Sequence, residues 1–190
     1  MTTLDSSTTK ITEFSDRIIT IGRDKITPVA AIYGANASGK SNIYSAFKYM
    51  SHYVINSFKY GDETQNFKDI TPNPFLFDSS SANNESSFEI YFTLPWDKSE
   101  KTYNYVFCIN IEGVTEEWLN CKSKTARKYN NMFYRNNTNG ELDLSSFSKT
   151  SMDNIRVALE REVLIISLGA KLRIEKCKEI RDWFILNKFE

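Results

Sequence analysis

The sequence has few of the residues that build metal centres and disulfide frameworks. Its 190 residues include one histidine and three cysteines. Cys108, Cys121 and Cys177 are odd in number and widely spaced, and they form no Cys-x-x-Cys pair. Structural zinc sites and disulfide networks normally depend on paired cysteines. We therefore expect reduced, packed thiols.

Long apolar runs and an excess of charge of one sign are also missing. The longest strongly apolar stretch, residues 163–170, is far shorter than the ~20 residues that span a bilayer. The N-terminus is polar where a secretory signal would be apolar. Lys plus Arg equal Asp plus Glu at 24 each, so overall charge favours neither nucleic acid nor an anionic membrane as partner. We expect a cytoplasmic protein without a membrane partner.

Glycine is scarce, yet two of the seven glycines fall in one phosphate-binding pattern. Residues 34–41 read Gly-Ala-Asn-Ala-Ser-Gly-Lys-Ser, which fits the P-loop consensus of Gly, four residues, Gly, Lys and Ser or Thr. The apolar run at 29–33 predicts a short buried parallel strand just before the loop. This context makes a nucleoside triphosphate the leading ligand.

Each residue type in this loop has a chemical reason to be there. A glycine-rich turn that enters a helix aims backbone N–H groups and the positive end of the helix dipole at one point. Lys40 would reach the β- and γ-phosphates, and the Ser41 hydroxyl would complete a Mg²⁺ shell. The alternative is a turn that only caps a core helix. The predicted nucleotide-binding residues are Gly34, Ala35, Asn36, Ala37, Ser38, Gly39, Lys40, Ser41 and Asn42.

Hydrophobic periodicity predicts a helix, then a sheet, then two helices. An apolar stripe of helical spacing (Ile43, Phe47, Met50, Val54, Phe58) predicts a helix that ends at Gly61. Alternation predicts antiparallel strands with inward-facing residues Phe88, Ile90, Phe92 and Leu94, then Tyr103, Tyr105, Phe107, Ile109 and Ile111. A third strand is expected over 114–121, and a hairpin joins 132–135 to 141–144 through Asn139-Gly140.

The C-terminal part returns to helical spacing. Ile155, Leu159, Val163 and Ile166 predict one helix, and Leu172, Ile174, Ile180, Phe184 and Ile185 predict a second, with the break at Gly169. The fold expected is an α/β P-loop NTPase domain, incomplete, with an inserted antiparallel β subdomain and C-terminal helices. Its expected segments are 1–70, 71–150 and 151–190.

Residues 28–42 resemble the P-loop region of ABC-type ATPases grouped with abortive-infection and overcoming-lysogenisation-defect proteins, which are relatives of SMC-like ATPases. Residues 74–77, 103–107 and 116–119 are similar to that family in the same order. The resemblance implies an ATP-binding domain with Mg²⁺ and a role in bacterial defence against phage. It also implies that a glutamine after the P-loop helix contacts Mg²⁺, and Gln65 is the one glutamine present.

Two motifs of such ATPases are missing from the sequence. Residues 163–166 end in Ser167 rather than in an Asp-Glu pair, and residues 144–147 lack the glycine of a Leu-Ser-x-Gly signature. We therefore expect an N-terminal ATPase portion in which ATP binding survives but hydrolysis requires a missing region or partner chain. A homodimer, or a complementary C-terminal half, is the expected protein partner.

Two other functions remain open at this stage. The chain could be an interaction or dimerisation module with a vestigial P-loop, in which Tyr105, Phe107 and Trp118 are either a contact surface or a packed sheet face. The second alternative function is that of a small P-loop kinase. Among single residues, His52 has no acidic or cysteine partner at helical spacing, and the basic run Lys122, Lys124, Arg127 and Lys128 is either a solvated loop or a contact to a nucleic-acid backbone.

Overall fold

The computed structural model describes residues 18–21, 24–26, 33–35, 39–61 and 84–187. Two antiparallel sheets are present in these ranges, one of two strands and one of five. The small sheet pairs β1 (Ile19–Ile21) with β2 (Asp24–Ile26). Residues 29–32 of the strand expected at 29–33, and Gln65, lie outside the described residues. Tyr33, the end of that expected strand, lies in an irregular segment and is 90% exposed.

The larger sheet is a meander in which each strand pairs antiparallel with the next along the chain. This confirms the antiparallel strands predicted from the sequence, including the final hairpin, where Gly140 has a φ of 75° in the turn. Its strands are β3 (Ser86–Thr93), β4 (Thr102–Asn110), β5 (Gly113–Lys122), β6 (Asn130–Asn136) and β7 (Glu141–Asp143).

Strand β4 departs from the expected half-buried alternation. Its residues 103–109 are all buried, including Asn104, Val106 and Cys108 on the face turned away from the helices. Pairing with β3 and β5 along both edges places neighbouring side chains over this face as well. Ile111, expected to continue the strand, is 54% exposed in the turn before Gly113, whose φ of 128° suits glycine.

The first helix, α1 (Lys40–Asn56), buries its C-terminal half against the sheet. Tyr53 stacks on Phe107 with ring centres 5.6 Å apart, and its hydroxyl donates to the Glu162 carbonyl at 2.5 Å. The predicted end at Gly61 is wrong, because a 3₁₀ turn (Ser57–Lys59) follows Asn56. There the Phe58 N–H donates to the Ser167 hydroxyl at 3.0 Å instead of continuing the helical ladder.

Three helices, not two, close the described chain: α2 (Lys149–Ala158), α3 (Ile165–Lys171) and α4 (Glu175–Leu186). Leu159 and Val163, expected on one helix with Ile155, lie in the connection between α2 and α3. Arg135 of β6 and the Val114 amide of β5 donate hydrogen bonds to carbonyl groups of that connection, which holds it against the sheet in a non-helical course. This tertiary contact overrides the helical spacing of the side chains.

Gly169 lies inside α3 and is not a break between helices. A Cβ placed there would lie 2.5 Å from Sγ and 2.9 Å from Cβ of Cys177 on α4. Glycine at this position is therefore a condition for the close approach of α3 to α4. Cys177 is 1% exposed, and burial raises the pKa of its thiol to about 12, so it packs as a small neutral side chain.

A buried pair of opposite charges holds the α2–α3 connection on the sheet. Glu117 of β5 accepts hydrogen bonds from the Ile165 amide at 2.7 Å and from the Tyr105 hydroxyl at 2.8 Å. Arg135 of β6 donates from Nη1 to the Val163 carbonyl at 2.6 Å and from Nη2 to the Glu160 carbonyl at 2.9 Å. The Glu117 carboxyl group thus accepts hydrogen bonds from the amides at the start of α3, while the Arg135 guanidinium donates to the carbonyl groups just before it.

The environment of Glu117 shifts its ionisation. Burial raises the pKa of its carboxyl from 4.5 to about 7, although the Ile165 amide and the Arg135 charge act in the opposite direction. A carboxyl whose pKa is higher in the folded than in the unfolded protein adds stability below pH 4.5, and this contribution is lost as the pH rises through about 7.

We expect Glu117→Ala to lower the free energy of unfolding by about 1–3 kcal/mol, because it leaves the buried Ile165 amide and the Tyr105 hydroxyl without their acceptor. Urea unfolding followed by circular dichroism measures this loss, which should be larger at pH 5 than at pH 8. The matched control is Glu112→Ala, which removes a carboxylate from an exposed pair with Arg161 and should change stability by less than about 1 kcal/mol. Equal effects of the two variants would contradict the role given to Glu117.

We expect Gly169→Ala to destabilise the protein by about 1–3 kcal/mol, because the added methyl group overlaps Cys177. The same urea titration applies. Removal of the sulfur in Gly169→Ala/Cys177→Ala should recover part of the loss, so that the two substitutions are not additive. If they are additive, the contact between α3 and α4 is not the origin of the effect.

Candidate functional site

The predicted phosphate-binding loop lies at the N-terminus of α1. Residues 33–35 and 39–61 are described, whereas Asn36, Ala37 and Ser38 lie outside the described residues. Gly39 is the N-cap and has a φ of 83°, in the left-handed region that glycine adopts without strain. No side chain of the described residues caps this helix start. A ligand therefore has access to the start of the helix, where the Asn42 amide donates to the Gly39 carbonyl at 3.0 Å.

Lys40 reaches back across this loop. Its ammonium donates hydrogen bonds to the carbonyl oxygens of Gly34 at 2.7 Å and Ala35 at 2.5 Å. The positive charge is thus held over the opening residues of the loop, close to the N-terminus of the helix. A phosphate group at this position would meet the ammonium and the positive end of the helix dipole together.

The charge distribution along α1 suits an anion at this end. Residues 40–56 contain Lys40 and Lys48 but no Asp or Glu, so no carboxylate of the helix competes for the dipole. Ser41 and Asn42 are exposed in the first turn, next to Lys40. The hydroxyl of Ser41 therefore lies on the same turn as the lysine, as Mg²⁺ ligation beside a bound phosphate would require.

The two halves of α1 differ sharply in burial. Residues 41–46 are all exposed, whereas Met50, Tyr53 and Val54 are at most 2% exposed within the core. The core thus fixes the direction of the helix and leaves its N-terminal turns accessible. Ile43, expected on the buried stripe, is 57% exposed, because the core begins to cover the helix only about a turn later, at Phe47, whose ring contacts Trp183 and Phe184 of α4.

Glu117 is the one strongly perturbed carboxyl group in the described part of the chain, and it is not a catalytic acid. It is 0% exposed, and its two oxygens accept from the Ile165 and Ile166 amides and from Tyr105. A water molecule cannot be oriented by a carboxylate that it cannot reach. Sequence reasoning missed this network, although the position of Glu117 on the inward face of β5, with Leu119, was a visible signal.

The other candidate residues do not assemble into a site. His52 is exposed, and its Nδ1 lies 3.3 Å from the Tyr60 hydroxyl. Among the described residues no group of three or more His, Cys, Asp or Glu side chains could hold a metal ion. All three cysteines are free, with Cys108 and Cys177 buried and Cys121 half-buried.

The basic run begins at Lys122, the last residue of β5, and continues into the connection between β5 and β6. Lys124 forms an ion pair with Glu100, and the Lys122 ammonium lies 4.9 Å from the centre of the Tyr129 ring. Arg127 and Lys128 are exposed. The run is therefore a solvated loop in which two of the four charges already have partners within the protein.

The aromatic residues of the sheet mostly belong to the core. Tyr105 and Phe107 are both 0% exposed, and Trp118 is half-buried beside Tyr134, with ring centres 6.4 Å apart. Two of the three residues considered as a contact surface are thus packed. None of the helices in the described part of the chain could span a bilayer.

Comparison with known proteins yields one family. The model of the family described as "AAA domain, putative AbiEii toxin, Type IV TA system" matches residues 29–147, which is more than half of the chain. The matched region includes the whole loop of residues 34–41, α1 and the five-stranded sheet. No curated protein and no solved structure matches the chain.

Proposed function

Since the chain belongs to this AAA-domain family, which is related to abortive infection, we propose that it binds ATP with Mg²⁺ through residues 34–42. The observation that carries the proposal is the N-terminus of α1. There a helix start without a side-chain cap among the described residues, a left-handed Gly39 and the Lys40 ammonium lie together. Backbone donors and one cation converging at a helix start are the elements that bind polyphosphate.

The residues present fit this ligand. Lys40 would exchange one of its bonds to the loop carbonyls for a phosphate oxygen, and the first-turn amides would bind phosphate oxygens directly. The Ser41 hydroxyl would hold Mg²⁺, which when bound neutralises phosphate charge. Adenine rather than guanine follows from the resemblance, since the sequence contains no Asn-Lys-x-Asp motif.

We propose that this chain alone binds ATP but hydrolyses it slowly or not at all. Phosphoryl transfer depends on positioned charges around the reacting phosphate and on a residue that orients water. The sequence contains neither an apolar strand that ends in an Asp-Glu pair nor the Leu-Ser-x-Gly signature, and Glu117 is buried and fully engaged. We propose that the missing groups come from another region or chain, either a second copy or a complementary half.

The biological setting proposed is bacterial defence against phage, in the cytoplasm, as an ABC-type ATPase segment. The support is the description of the matching family as a toxin of a type IV toxin–antitoxin system, together with the resemblance of residues 28–42. The interaction-module alternative loses support from the burial of Tyr105 and Phe107, and no observation favours a small-molecule kinase.

We expect Lys40→Ala to weaken MgATP binding by about 10- to 100-fold, the loss of a charged hydrogen bond to phosphate. Calorimetric titration of MgATP into each purified protein measures this. The matched control is Lys48→Ala, which removes an exposed lysine from the same helix two turns later and should bind as the wild type does. The proposal is overturned if Lys40→Ala binds MgATP with unchanged affinity or if the wild type does not bind it.

We expect Ser41→Ala to act only through the metal. Its affinity for ATP in EDTA should equal that of the wild type, whereas the gain in affinity on adding Mg²⁺ should fall by about tenfold. Ser45→Ala, an exposed serine one turn along the helix, is the control. A loss that is the same with and without Mg²⁺ would count against metal ligation by Ser41.

A further inference from the structure

Three cationic side chains surround one phenylalanine ring at the other end of α1. Phe58 lies in the 3₁₀ turn that follows the helix. The distances from the centre of its ring are 5.2 Å to Lys171 Nζ, 5.6 Å to Lys59 Nζ and 5.7 Å to Arg181 Cζ. No two of these charges can therefore be more than twice 5.7 Å apart. We call these four residues the Phe58 cluster.

The cations of the Phe58 cluster come from three separate elements. Lys59 belongs to the 3₁₀ turn, Lys171 is the last residue of α3, and Arg181 lies within α4. The Phe58 N–H donates to Ser167 of α3 at 3.0 Å, and Arg181 Nε donates to the Ile55 carbonyl at 3.2 Å. Tertiary packing thus fixes the backbone on which the three charges are carried.

None of the three cations has a carboxylate partner among the described residues. Neighbouring lysines on α4 differ in this respect, since Lys176 pairs with Glu179 and Lys178 pairs with Asp182. Arg181 uses only Nε in a hydrogen bond, so both of its Nη groups lack an acceptor in the described part of the protein. The Lys171 ammonium also lacks one there.

The described residues offset only part of this positive charge. The C-terminus of α1 carries about half a unit of negative charge, and the Ile55 carbonyl brings it into contact with Arg181. The face of the Phe58 ring attracts cations weakly. Against these stand three full charges that repel one another at short distance. An anion that enters the cluster would relieve that repulsion.

The Phe58 cluster is distant from the nucleotide loop. The 17 residues of α1 separate them, and at 1.5 Å per residue this is about 25 Å along the helix axis. A ligand bound at the cluster is therefore not the phosphate tail of a nucleotide bound at Gly39.

We propose that Lys59, Lys171 and Arg181 form a second anion-binding site, which takes a phosphate-bearing ligand. The two Nη groups of an arginine match the geometry of two phosphate oxygens. The two lysine ammonium groups add positive charge, and their hydrogen bonds can form in many orientations. A single carboxylate would neutralise one of the three positive charges of the Phe58 cluster. A ligand with adjacent phosphate groups would neutralise more of them, and is therefore the better match. A nucleic-acid strand and a free polyphosphate share this chemistry.

The test measures both sources separately. Fluorescence anisotropy follows a labelled 20-residue oligothymidylate between 50 and 200 mM salt, and calorimetry follows pyrophosphate. The pyrophosphate titration uses the Lys40→Ala background, so that the loop of residues 34–41 does not contribute. Binding of the strand, with a slope near −2 in a plot of log affinity against log salt, would assign three contacts to single-stranded nucleic acid. Binding of pyrophosphate alone would assign the site to a small polyphosphate.

We expect Lys171→Gln and Arg181→Gln each to weaken binding by about fivefold, the loss of one ion contact in water. In the strand titration each should also make the salt slope shallower by about 0.7. Arg181→Lys, which keeps the charge but lacks the fork, should bind more tightly than Arg181→Gln and less tightly than the wild type, and so separate a binding defect from a folding defect. The controls are Lys178→Gln on α4 and Lys124→Gln in the basic run, both of which should bind as the wild type does.

The proposal is overturned if neither ligand binds, or if Lys171→Gln and Arg181→Gln bind as tightly as the controls. MgATP affinity should be unchanged in both variants, because the nucleotide loop lies at the opposite end of α1. Failure at the Phe58 cluster and failure at the nucleotide loop are therefore separate results.

Discussion

The arrangement of the helices on the sheet depends on one buried pair of charges, Glu117 and Arg135. The two side chains stand on neighbouring strands and bind opposite sides of the same piece of backbone, amides at 165 and 166 and carbonyls at 160 and 163. Each charge is costly to bury without hydrogen bonds. The α2–α3 connection supplies those hydrogen bonds. The same bonds hold the connection in a conformation that is neither helix nor strand.

This constraint extends to α1 through the same connection. The Tyr53 hydroxyl binds the Glu162 carbonyl, and the Ser57 hydroxyl accepts from the Leu164 amide at 3.1 Å. The C-terminal half of α1 is therefore tied to a segment that the charge pair holds. The N-terminal half projects from the core. A rigid helix with a buried base and an exposed start is well suited to present backbone amides to a phosphate group.

The two ends of α1 thus differ in how they attract anions. At Gly39 the attraction comes from backbone geometry and one lysine that is local in sequence. Around Phe58 it comes from side chains of three elements up to 122 positions apart, brought together by packing. Both are electropositive, but only the first carries a sequence motif. A consensus pattern detects a site built within one loop and is blind to a site assembled by tertiary contacts.

The sequence by itself determined the loop of residues 34–41 as a helix start, the five-strand meander and the inward faces of its strands, because these depend on local spacing and on glycine. It did not determine the end of α1 at Asn56, the break of the C-terminal helices at 159–164, or the placement of Gly169 within α3. Those were decided by the tertiary structure, since Ser167, Arg135 and Cys177 act on the backbone from far along the chain. Hydrophobic periodicity reports which face of an element is buried, whereas where an element stops depends on which distant group takes its hydrogen bonds.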